Sequence, residues 1–273
     1  MDPACQAAVE VAESLGIAPA YPRLLQETNN TVLWLDPHPI VAKVGIRPES
    51  HASLRREHAV AEYLSQAGAP VAAPWPNTPP TVHAATGFVV TLWRRLERSP
   101  DAAASPAAIG DSLRELHEML AHCDVHLPSF RLAMDGVPAA IGRTTSLTDS
   151  DRTMLAGTYT RLVEDLDRRT FDLQPLHGEP HEGNIIVTKS GIHWIDFENS
   201  CMGPVEWDLA FLPSDDGLIS SFPAVDHNLL ALLRVLCSAL VATWCWIQAR
   251  FPEMRAHGIH HLEVVRQWQI EHS

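Results

Sequence analysis

The segment from Leu176 to Asn184 concentrates the residue types that carry out acid–base and metal chemistry. It reads LHGEPHEGN, with two histidines, two glutamates and a terminal asparagine. Its two glycines and one proline favour an irregular loop rather than a helix. A loop that gathers proton acceptors and metal ligands in this way is a candidate catalytic centre.

A β-hairpin is predicted directly after this loop. Ile185–Val187 and Ile192–Ile195 are short apolar runs typical of strands, and Lys189–Gly191 is a turn between them. The hairpin begins at Asn184 and ends at Asp196, so we expect those two side chains to lie close together. An amide oxygen and a carboxylate at one site suit Mg²⁺, which prefers oxygen ligands and completes its shell with phosphate and water.

The spacing of these residues fits a phosphoryl-transfer centre. Such a centre needs an acidic group beside the attacking hydroxyl, an asparagine a few positions later, and an aspartate after a short hairpin. Glu179 is the candidate acid, and Asn184 and Asp196 are the candidate Mg²⁺ ligands. This interpretation requires a nucleotide whose γ-phosphate is transferred.

A zinc site is the alternative for the same loop. His177 and His181 are four positions apart with an acid between them, as in a zinc protease helix. That motif needs both histidines on one face of a helix, and Gly178 and Pro180 disfavour a helix there. The zinc hypothesis predicts tightly bound zinc in the purified protein.

An upstream lysine and glutamate supply further parts in the expected order. Val41–Lys43 lies in a predicted strand and resembles the kinase strand whose lysine holds the α- and β-phosphates. Glu57, on a predicted helix from Ser53 to Gln66, is a suitable ion-pair partner for Lys43. The alternative is a solvated Lys43 and a surface Glu57, and the later loop favours the pair.

The turn before the strand Thr31–Leu35 is the candidate phosphate-binding turn. The sequence has no glycine-rich loop at this point, so Asn29, Asn30 and Thr31 are the candidate nucleotide-binding residues. Asparagine tolerates turn geometry and offers amide donors.

Strand-like sequence dominates the first third of the chain and helix-like sequence the remainder. This order predicts an α+β protein, with a β-rich nucleotide-binding lobe at 1–95 and a mainly helical catalytic and acceptor-binding lobe at 96–273. The lobe boundary follows the predicted strand Gly87–Trp93. Helices after it are predicted at Pro106–His122, Thr148–Arg169, Asn228–Phe251 and His257–Gln269.

Three motifs together resemble the aminoglycoside phosphotransferase and choline kinase superfamily. They are HGEPHEGN, the IDFE that ends at Glu198, and EWDLA at Glu206–Ala210. The usual pattern of that family is His-Gly-Asp, an asparagine five residues after the Asp, then Asp-Phe-Gly or Asp-Phe-Glu, then Asp-Leu-Ala. The resemblance extends from about Leu24 to Leu212.

The resemblance implies a bilobal protein-kinase-like fold that binds ATP or GTP with Mg²⁺. It implies that backbone near Thr91–Arg95 binds the base and that Glu179 is the acid–base or orienting residue. It also implies that Asn184 and Asp196 bind the metal and that His177 supports the loop. The implied reaction is phosphate transfer to a hydroxyl of a small molecule, such as an aminoglycoside-like antibiotic or another metabolite.

Two interpretations are open for several neighbouring positions. Glu198 either touches a second metal ion or caps the hairpin. His181 and Glu182 are either substrate contacts or solvent-facing loop residues. Asp208 has a mainly structural role in the family, accepting hydrogen bonds from the catalytic-loop backbone.

Glu179 departs from the family pattern, which has Asp at this position. The glutamate keeps a carboxylate but is one methylene longer. The alternative to an active enzyme is therefore a pseudokinase-like protein that binds nucleotide or metabolite without turnover. A Glu179→Asp variant discriminates between the two.

The charge balance limits the partners. The formal net charge is −13, from 33 acidic and 20 basic residues, which argues against a nucleic-acid surface. Clefts of acidic proteins attract cations, so the charge favours a cationic acceptor. The alternative is that the acidity only keeps the protein soluble.

Cysteine usage and hydropathy point to the cytoplasm, with a monomer or homodimer expected. The five cysteines are scattered with no CxxC pair, so neither a disulfide framework nor a zinc site is expected. The N-terminal residues lack the basic start of a signal peptide. Leu229–Ile247 is apolar but contains Arg234, so we expect a buried helix and no membrane partner.

Overall fold

The computed structural model describes residues 2–18, 20–100 and 102–272. Its contacts divide the chain into two compact units. The first unit comprises Met1–Leu127, Pro175–Cys201 and Asp215–Ser221, and the second comprises Pro128–Gln174, Met202–Ser214 and Phe222–Ser273. These units differ from the predicted lobes 1–95 and 96–273, because the segment Pro175–Cys201 groups with the strand-rich part of the chain. The assignment of functional lobes stays a prediction.

The first unit contains an antiparallel sheet of five strands in the order β1-β2-β3-β5-β4. Apolar and β-branched runs form the central strands, and the polar residues that follow β1 make a tight turn. The predicted strands are confirmed, with the last one shifted by two residues at its start. The bounds are β1 Tyr21–Glu27, β2 Thr31–Asp36, β3 Ile40–Gly45, β4 Thr81–Val82 and β5 Val89–Arg94.

Helix α1, Pro3–Ser14, covers one face of this sheet. Asp2 caps it by accepting a hydrogen bond from the amide of Ala4 at 2.9 Å. The alanine-rich face of α1 packs on alternate residues of β2 and on β3, including Leu33 and Leu35. The opposite face of β2 and β3 is therefore the one left for a ligand.

Helix α2, Ser50–Gln66, carries Glu57. It starts three residues before the predicted Ser53, because Ser53 donates to the carbonyl of Ser50 instead of capping the helix. The residue at the cap, Glu49, makes no side-chain capping bond. The other helices of the first unit are α3, Pro106–Leu120, and α7, Asp216–Ile219.

The predicted hairpin is present as β7, Ile185–Thr188, and β8, Gly191–Trp194. Hydrogen bonds attach it to segments near the sheet. The amide of Trp194 donates to Pro70 O at 2.9 Å, and the amide of Ser99 donates to Val187 O at 2.8 Å. The indole of Trp194 is fully buried and donates to Ser112 Oγ at 2.9 Å. These bonds fix the hairpin, and with it Asn184 and Asp196 at its ends.

The second unit is mainly helical, which confirms the α+β class. Thr148 caps α5 as predicted, accepting from Asp151 N at 3.1 Å. The last helix begins five residues before the predicted His257, with Pro252 in its first turn. The remaining elements are α4 Val137–Gly142, α5 Asp149–Asp167, β6 Gln174–Leu176, β9 Cys201–Gly203, α6 Val205–Leu209, α8 His227–Ile247 and α9 Pro252–Glu271.

Helix α8 is long and apolar enough to cross a membrane by length and composition alone. Its apolar window is 72% buried within the fold. Core helices of globular proteins pass the same test, so the length and hydropathy of α8 are weak support for a membrane span.

Candidate active site

Lys43 lies at the centre of the first unit's site and contacts three carboxylates. Its Nζ is 2.9 Å from Glu57 Oε2, 2.8 Å from Asp196 Oδ1 and 3.3 Å from Glu198 Oε2. Strand β3 supplies the lysine, α2 supplies Glu57, and the segment after β8 supplies the other two. The structure thus brings together residues that are 14 and 153 positions apart in the sequence.

Because Lys43 and its carboxylate partners are buried, the ionisation of each group depends strongly on the charges of the others. Lys43 is 6% exposed and Glu57 is 3% exposed. Burial alone disfavours the ammonium, but Glu57 and Asp196 outweigh it and raise the pKa of Lys43, which stays a cation. Burial raises the pKa of Glu57. Burial also opposes the charge of Asp196, yet Lys43 outweighs this effect and lowers the pKa of Asp196.

The carboxylates of this cluster fit a divalent cation. Oxygen atoms of Glu57, Asp196 and Glu198 lie within 4.8 Å of one another. These oxygen atoms are the ligand type that a hard cation such as Mg²⁺ prefers, and such a cation would add positive charge to that of Lys43 beside the acidic groups. Among the described residues, the group of side chains that could hold a metal ion contains three carboxylates and no histidine. The zinc alternative through His177 and His181 is therefore not supported.

Asn184 ends a short 3₁₀ turn, Glu182–Asn184, at the start of β7. Its Nδ2 donates to Glu179 O at 2.9 Å, so Oδ1 is the atom left for a cation. The carbonyl of Asn184 accepts from Ile195 N at 3.0 Å. The side-chain amide of Asn184 is therefore held by the loop that carries Glu179, and its backbone carbonyl is held by the residue before Asp196.

Asp196 has a backbone conformation that few non-glycine residues adopt. Its φ is +67° and its ψ is +65°, in the left-handed region. It begins the 3₁₀ turn Phe197–Asn199, which differs from the extended path of β8. Unusual backbone geometry of this kind concentrates at functional sites, where surrounding contacts enforce it.

Glu179 lies in the loop before Asn184, and its side chain is 37% exposed. Its Oε2 accepts a 2.6 Å hydrogen bond from Asn199 Nδ2. Burial of the carboxyl, followed by the charge of Asp196, raises the pKa of Glu179 to about 7. A carboxyl with a pKa near neutrality is suited to exchange a proton with a hydroxyl at physiological pH.

His177 supports the loop from within. Its side chain is fully buried, its Nε2 lies 3.0 Å from Ile195 O, and its ring packs 4.7 Å from that of Phe197. The amide of Glu179 donates to His177 Nδ1 at 3.4 Å. The histidine thus contacts the backbone of Glu179 and that of Ile195, the residue before Asp196.

The predicted nucleotide-binding turn divides into three different environments. Asn30 is buried and donates to Glu198 Oε2 at 2.8 Å, which places it at the carboxylate cluster. Asn29 is exposed to solvent. The side chain of Thr31 is buried on the face of β2 that α1 covers, together with Leu33, so it does not reach the site. Side-chain alternation along the strand causes this difference.

A cavity of about 480 Å³ adjoins the carboxylate cluster. Val41, Trp93 and Ile195 supply apolar walls, whereas Lys43 and Asp196 lie at its charged end. Its size and its combination of apolar and charged walls suit a small ligand such as a nucleotide. The segment predicted to contact the base, Thr91–Arg95, contributes Trp93, Arg94 and Arg95 to the lining.

Sequence reasoning missed two site residues. Asn199 binds Glu179 through its side chain, and Arg56 donates to the backbone carbonyl of Glu198. Asn199 was open to detection, because it lies three residues after Asp196 and on the same turn. Arg56 gave no such signal, because Glu57 was already the residue of α2 assigned to the site.

The match to a known family favours the phosphoryl-transfer interpretation of this site over the zinc site. The model of the phosphotransferase enzyme family matches residues 23–232, more than half of the chain. The chain belongs to the phosphotransferase enzyme family. Membership confirms the resemblance to the aminoglycoside phosphotransferase and choline kinase superfamily and the assignment to phosphotransferase enzymes.

Individual members of the family are similar to this chain only at a distance. A LicA homologue of Mycoplasma capricolum subsp. capricolum is 26% identical over 102 residues. That match spans 34% of this chain and 43% of the relative's length.

Solved structures confirm the kinase-like fold. The amicoumacin kinase hAmiN, in complex with AMP-PNP, Ca²⁺ and Ami, superposes with a TM-score of 0.69 at 16% identity. That superposition covers 90% of this chain and 88% of the kinase. APH(2")-IIia, in complex with GDP and kanamycin, gives a TM-score of 0.71 at 14% identity, covering 94% of this chain and 97% of the other. Identities this low establish the fold and leave the acceptor open.

Proposed function

We propose that this protein transfers the γ-phosphate of ATP, with Mg²⁺, to a hydroxyl group of a small molecule. The observation that carries the proposal is the convergence of Lys43, Glu57 and Asp196 beside a cavity of about 480 Å³. Lys43 is placed to bind phosphate oxygens, which compete with Asp196 and Glu198 for its ammonium group. Family membership and the nucleotides bound to the related structures support the same reaction.

The chain's own residues divide the task as follows. Asp196, Asn184 and Glu198 would hold Mg²⁺, which would neutralise charge on the phosphates. Glu179 orients the acceptor hydroxyl and accepts its proton. As the hydroxyl oxygen bonds to the γ-phosphorus, the bond to the departing diphosphate breaks. Positioning and charge stabilisation supply most of the rate enhancement.

The acceptor we propose is a hydroxyl compound that carries amino groups. The net charge of −13 supports a cationic ligand. Kanamycin, present in the related APH(2")-IIia structure, is one such compound. Cytoplasmic localisation belongs to the same proposal, because the scattered cysteines suit a reducing compartment and ATP is available there.

ADP release in the presence of an acceptor panel tests this function. The panel contains aminoglycosides, choline and other amino alcohols, and sugars, each incubated with MgATP and the purified protein. We expect at least one acceptor to accelerate ADP release, and Asp196→Asn to abolish that acceleration. Ser190→Ala, at an exposed position of the β7–β8 turn, serves as the control with wild-type activity. Nucleotide binding without transfer to any acceptor favours the pseudokinase alternative, and activity that survives Asp196→Asn contradicts the metal site.

A further inference from the structure

Glu179 depends on a partner outside the loop that carries it. Asn199 Nδ2 donates to Glu179 Oε2 at 2.6 Å, across 20 positions of sequence. Among the described residues, only Asn199 donates a hydrogen bond to the carboxylate of Glu179, and the bond uses one of the two carboxylate oxygens. The amide therefore fixes the rotation of the carboxylate as well as its location.

Backbone contact reinforces this pair. Gly178, directly before Glu179, has a φ of +94°, and a Cβ built on it would lie 1.9 Å from Asn199 O. The two chain segments thus approach more closely than any side chain at position 178 allows. Glu179 and Asn199 cannot shift independently, because the backbones that carry them are in contact.

The same turn links this pair to the metal ligands. Asn199 closes the 3₁₀ turn that starts at Asp196, three residues earlier. A cation bound at Asp196 therefore lies at one end of a rigid turn, and the amide that holds Glu179 lies at the other. A short covalent path therefore connects the candidate metal ligand Asp196 to the amide that holds Glu179.

The second carboxylate oxygen remains available for an acceptor. Within the described part of the chain, no donor hydrogen-bonds to Glu179 Oε1, and His181 Nε2 lies 4.0 Å from it. An acceptor hydroxyl can thus donate to Oε1 while Asn199 holds Oε2. One fixed oxygen and one open oxygen is the geometry that an orienting base requires.

The length of the glutamate explains why such a partner is needed. Glutamate has one more methylene than aspartate and therefore one more rotatable bond, which spreads its carboxylate over more positions. A displacement of about 1 Å in an active site can lower the rate on the order of 10²-fold. We propose that Asn199 is the positioning residue that makes a glutamate effective as the acceptor-orienting group of this phosphotransferase, an inference that rests on the proposed function.

A double-mutant cycle tests the proposal. Its four proteins are wild type, Asn199→Ala, Glu179→Asp and the double variant, assayed with MgATP and the panel acceptor that gives wild type its highest rate. In the glutamate background, we expect Asn199→Ala to lower kcat about 10- to 100-fold, in line with a displacement near 1 Å, and to change KM for MgATP less than about 2-fold. In the aspartate background, whose carboxylate is too short to reach the amide, the same change should alter kcat by less than about 3-fold.

The isosteric Asn199→Asp variant separates hydrogen bonding from shape. Aspartate fills the same space but has no N–H donor and brings a like charge beside Glu179. We expect it to lose at least as much kcat as Asn199→Ala, whereas Ser190→Ala keeps the wild-type rate. Equal losses from Asn199→Ala in both backgrounds, or an effect on KM alone, would overturn the positioning role.

The contact itself can be measured without turnover. In ¹⁵N-labelled protein, the side-chain amide signal of Asn199 is identified by its disappearance in Asn199→Ala. We expect that signal to shift upfield in Glu179→Asp, because the donor loses its acceptor, and to stay in place in Ser190→Ala. An Asn199 side-chain amide signal whose chemical shift is the same in wild type and Glu179→Asp would show that the contact is absent. A signal that responds, in a wild-type protein that phosphorylates no acceptor, overturns the proposed function and the positioning role with it.

Discussion

At the residue scale, Glu179 lies where the family pattern has aspartate, and Asn199 contacts its carboxylate. The carboxylate one methylene longer than the family's aspartate is held by an amide at 2.6 Å. The pairing of Lys43 with Glu57 was predicted from their places on a strand and a helix together with the later loop, which favoured the pair over a solvated lysine. The contact to Asn199 was not predicted, since it depends on the path of the chain after Asp196, where φ is positive.

Replacing the carboxylate of Glu179 tests its chemical role. Glu179→Gln keeps the size of the side chain and one oxygen that can accept from Asn199 but removes its basicity. We expect kcat to fall about 10²- to 10⁴-fold, the range typical of lost general-base catalysis, and nucleotide affinity to stay within about 2-fold. Steady-state kinetics with the best panel acceptor and calorimetric titration with MgATP measure the two quantities. Unchanged kcat would remove Glu179 from the mechanism.

At the scale of elements, the β7–β8 hairpin is what joins the site residues. The hairpin was predicted from two apolar runs and a turn, and its bounds agree with the structure within one residue. What the sequence did not reveal is how the hairpin is attached. The bonds from Trp194 to Pro70 and Ser112 join residues far apart in sequence, and no local pattern encodes them. The side chain of Thr31 was misplaced for a related reason, since the face that α1 covers is decided by packing.

Gly178 and Gly191 form a matched pair for testing the contact between the catalytic loop and the turn after Asp196. Both have positive φ, at +94° and +118°. A Cβ at Gly191 meets nothing within 4 Å, whereas one at Gly178 overlaps Asn199 O. We expect both alanine variants to lose about 1 kcal/mol or more of stability from backbone strain, with the larger loss at Gly178.

Activity should separate the two glycine variants more clearly than stability does. We expect Gly178→Ala to lower kcat at least about 10²-fold, because the loop must move away from Asn199. Gly191→Ala should keep kcat within about 3-fold of wild type. Chemical denaturation and steady-state kinetics on both proteins provide the comparison. Equal effects of the two changes on kcat would show that the contact is not required.

The packing of α9 on α8 should make stability depend on pH. His261 Nδ1 lies 3.2 Å from Ser238 Oγ. Burial, followed by the charges of His260 and His257, lowers the pKa of His261 from its ordinary 6.5 to about 4. The unfolded chain therefore binds this proton first as the pH falls, so the contribution is complete above about pH 6.5 and is lost on the way down to about pH 4.

Denaturant titrations between pH 7.5 and pH 4.5 measure this effect as the free energy of unfolding. We expect His261→Gln to flatten the decline below about pH 6.5, since the variant has no proton to bind at this position. His227→Gln, at an exposed position in the first turn of α8, should decline like wild type. Parallel curves for wild type and His261→Gln would contradict the burial effect.

At the scale of the whole molecule, the change from strand-like to helix-like sequence along the chain predicted the α+β class and the order of strands before helices. It did not predict the grouping of residues 175–201 with the strand-rich part of the chain. Contacts between segments distant in sequence decide that grouping, and linear composition contains no information about them. The net charge of −13 is a property of the same scale and bears on the acceptor rather than on the fold.

Nucleotide and metal should stabilise the folded protein together. A ligand at about 100 times its Kd adds about 2.7 kcal/mol to the free energy of unfolding. We expect MgATP to raise Tm, and EDTA to remove most of that rise, because Asp196 and Glu198 then repel the phosphates. Asp196→Asn, which leaves Lys43 paired with Glu57, should show a smaller rise with MgATP. Thermal unfolding of wild type and Asp196→Asn, each without ligand, with MgATP and with MgATP plus EDTA, measures these shifts. Equal shifts with and without Mg²⁺ would contradict the metal site.

Phosphate transfer to a hydroxyl is the reaction proposed for this protein, with Glu179, held by Asn199, as the orienting carboxylate. The most direct measurement is ³¹P NMR of a reaction containing MgATP and the acceptor that most accelerates ADP release. We expect a new phosphate monoester signal, coupled to a proton on the carbon that bears the acceptor oxygen, in a one-to-one ratio with ADP. Formation of inorganic phosphate alone, or no consumption of ATP despite measured binding, would contradict it.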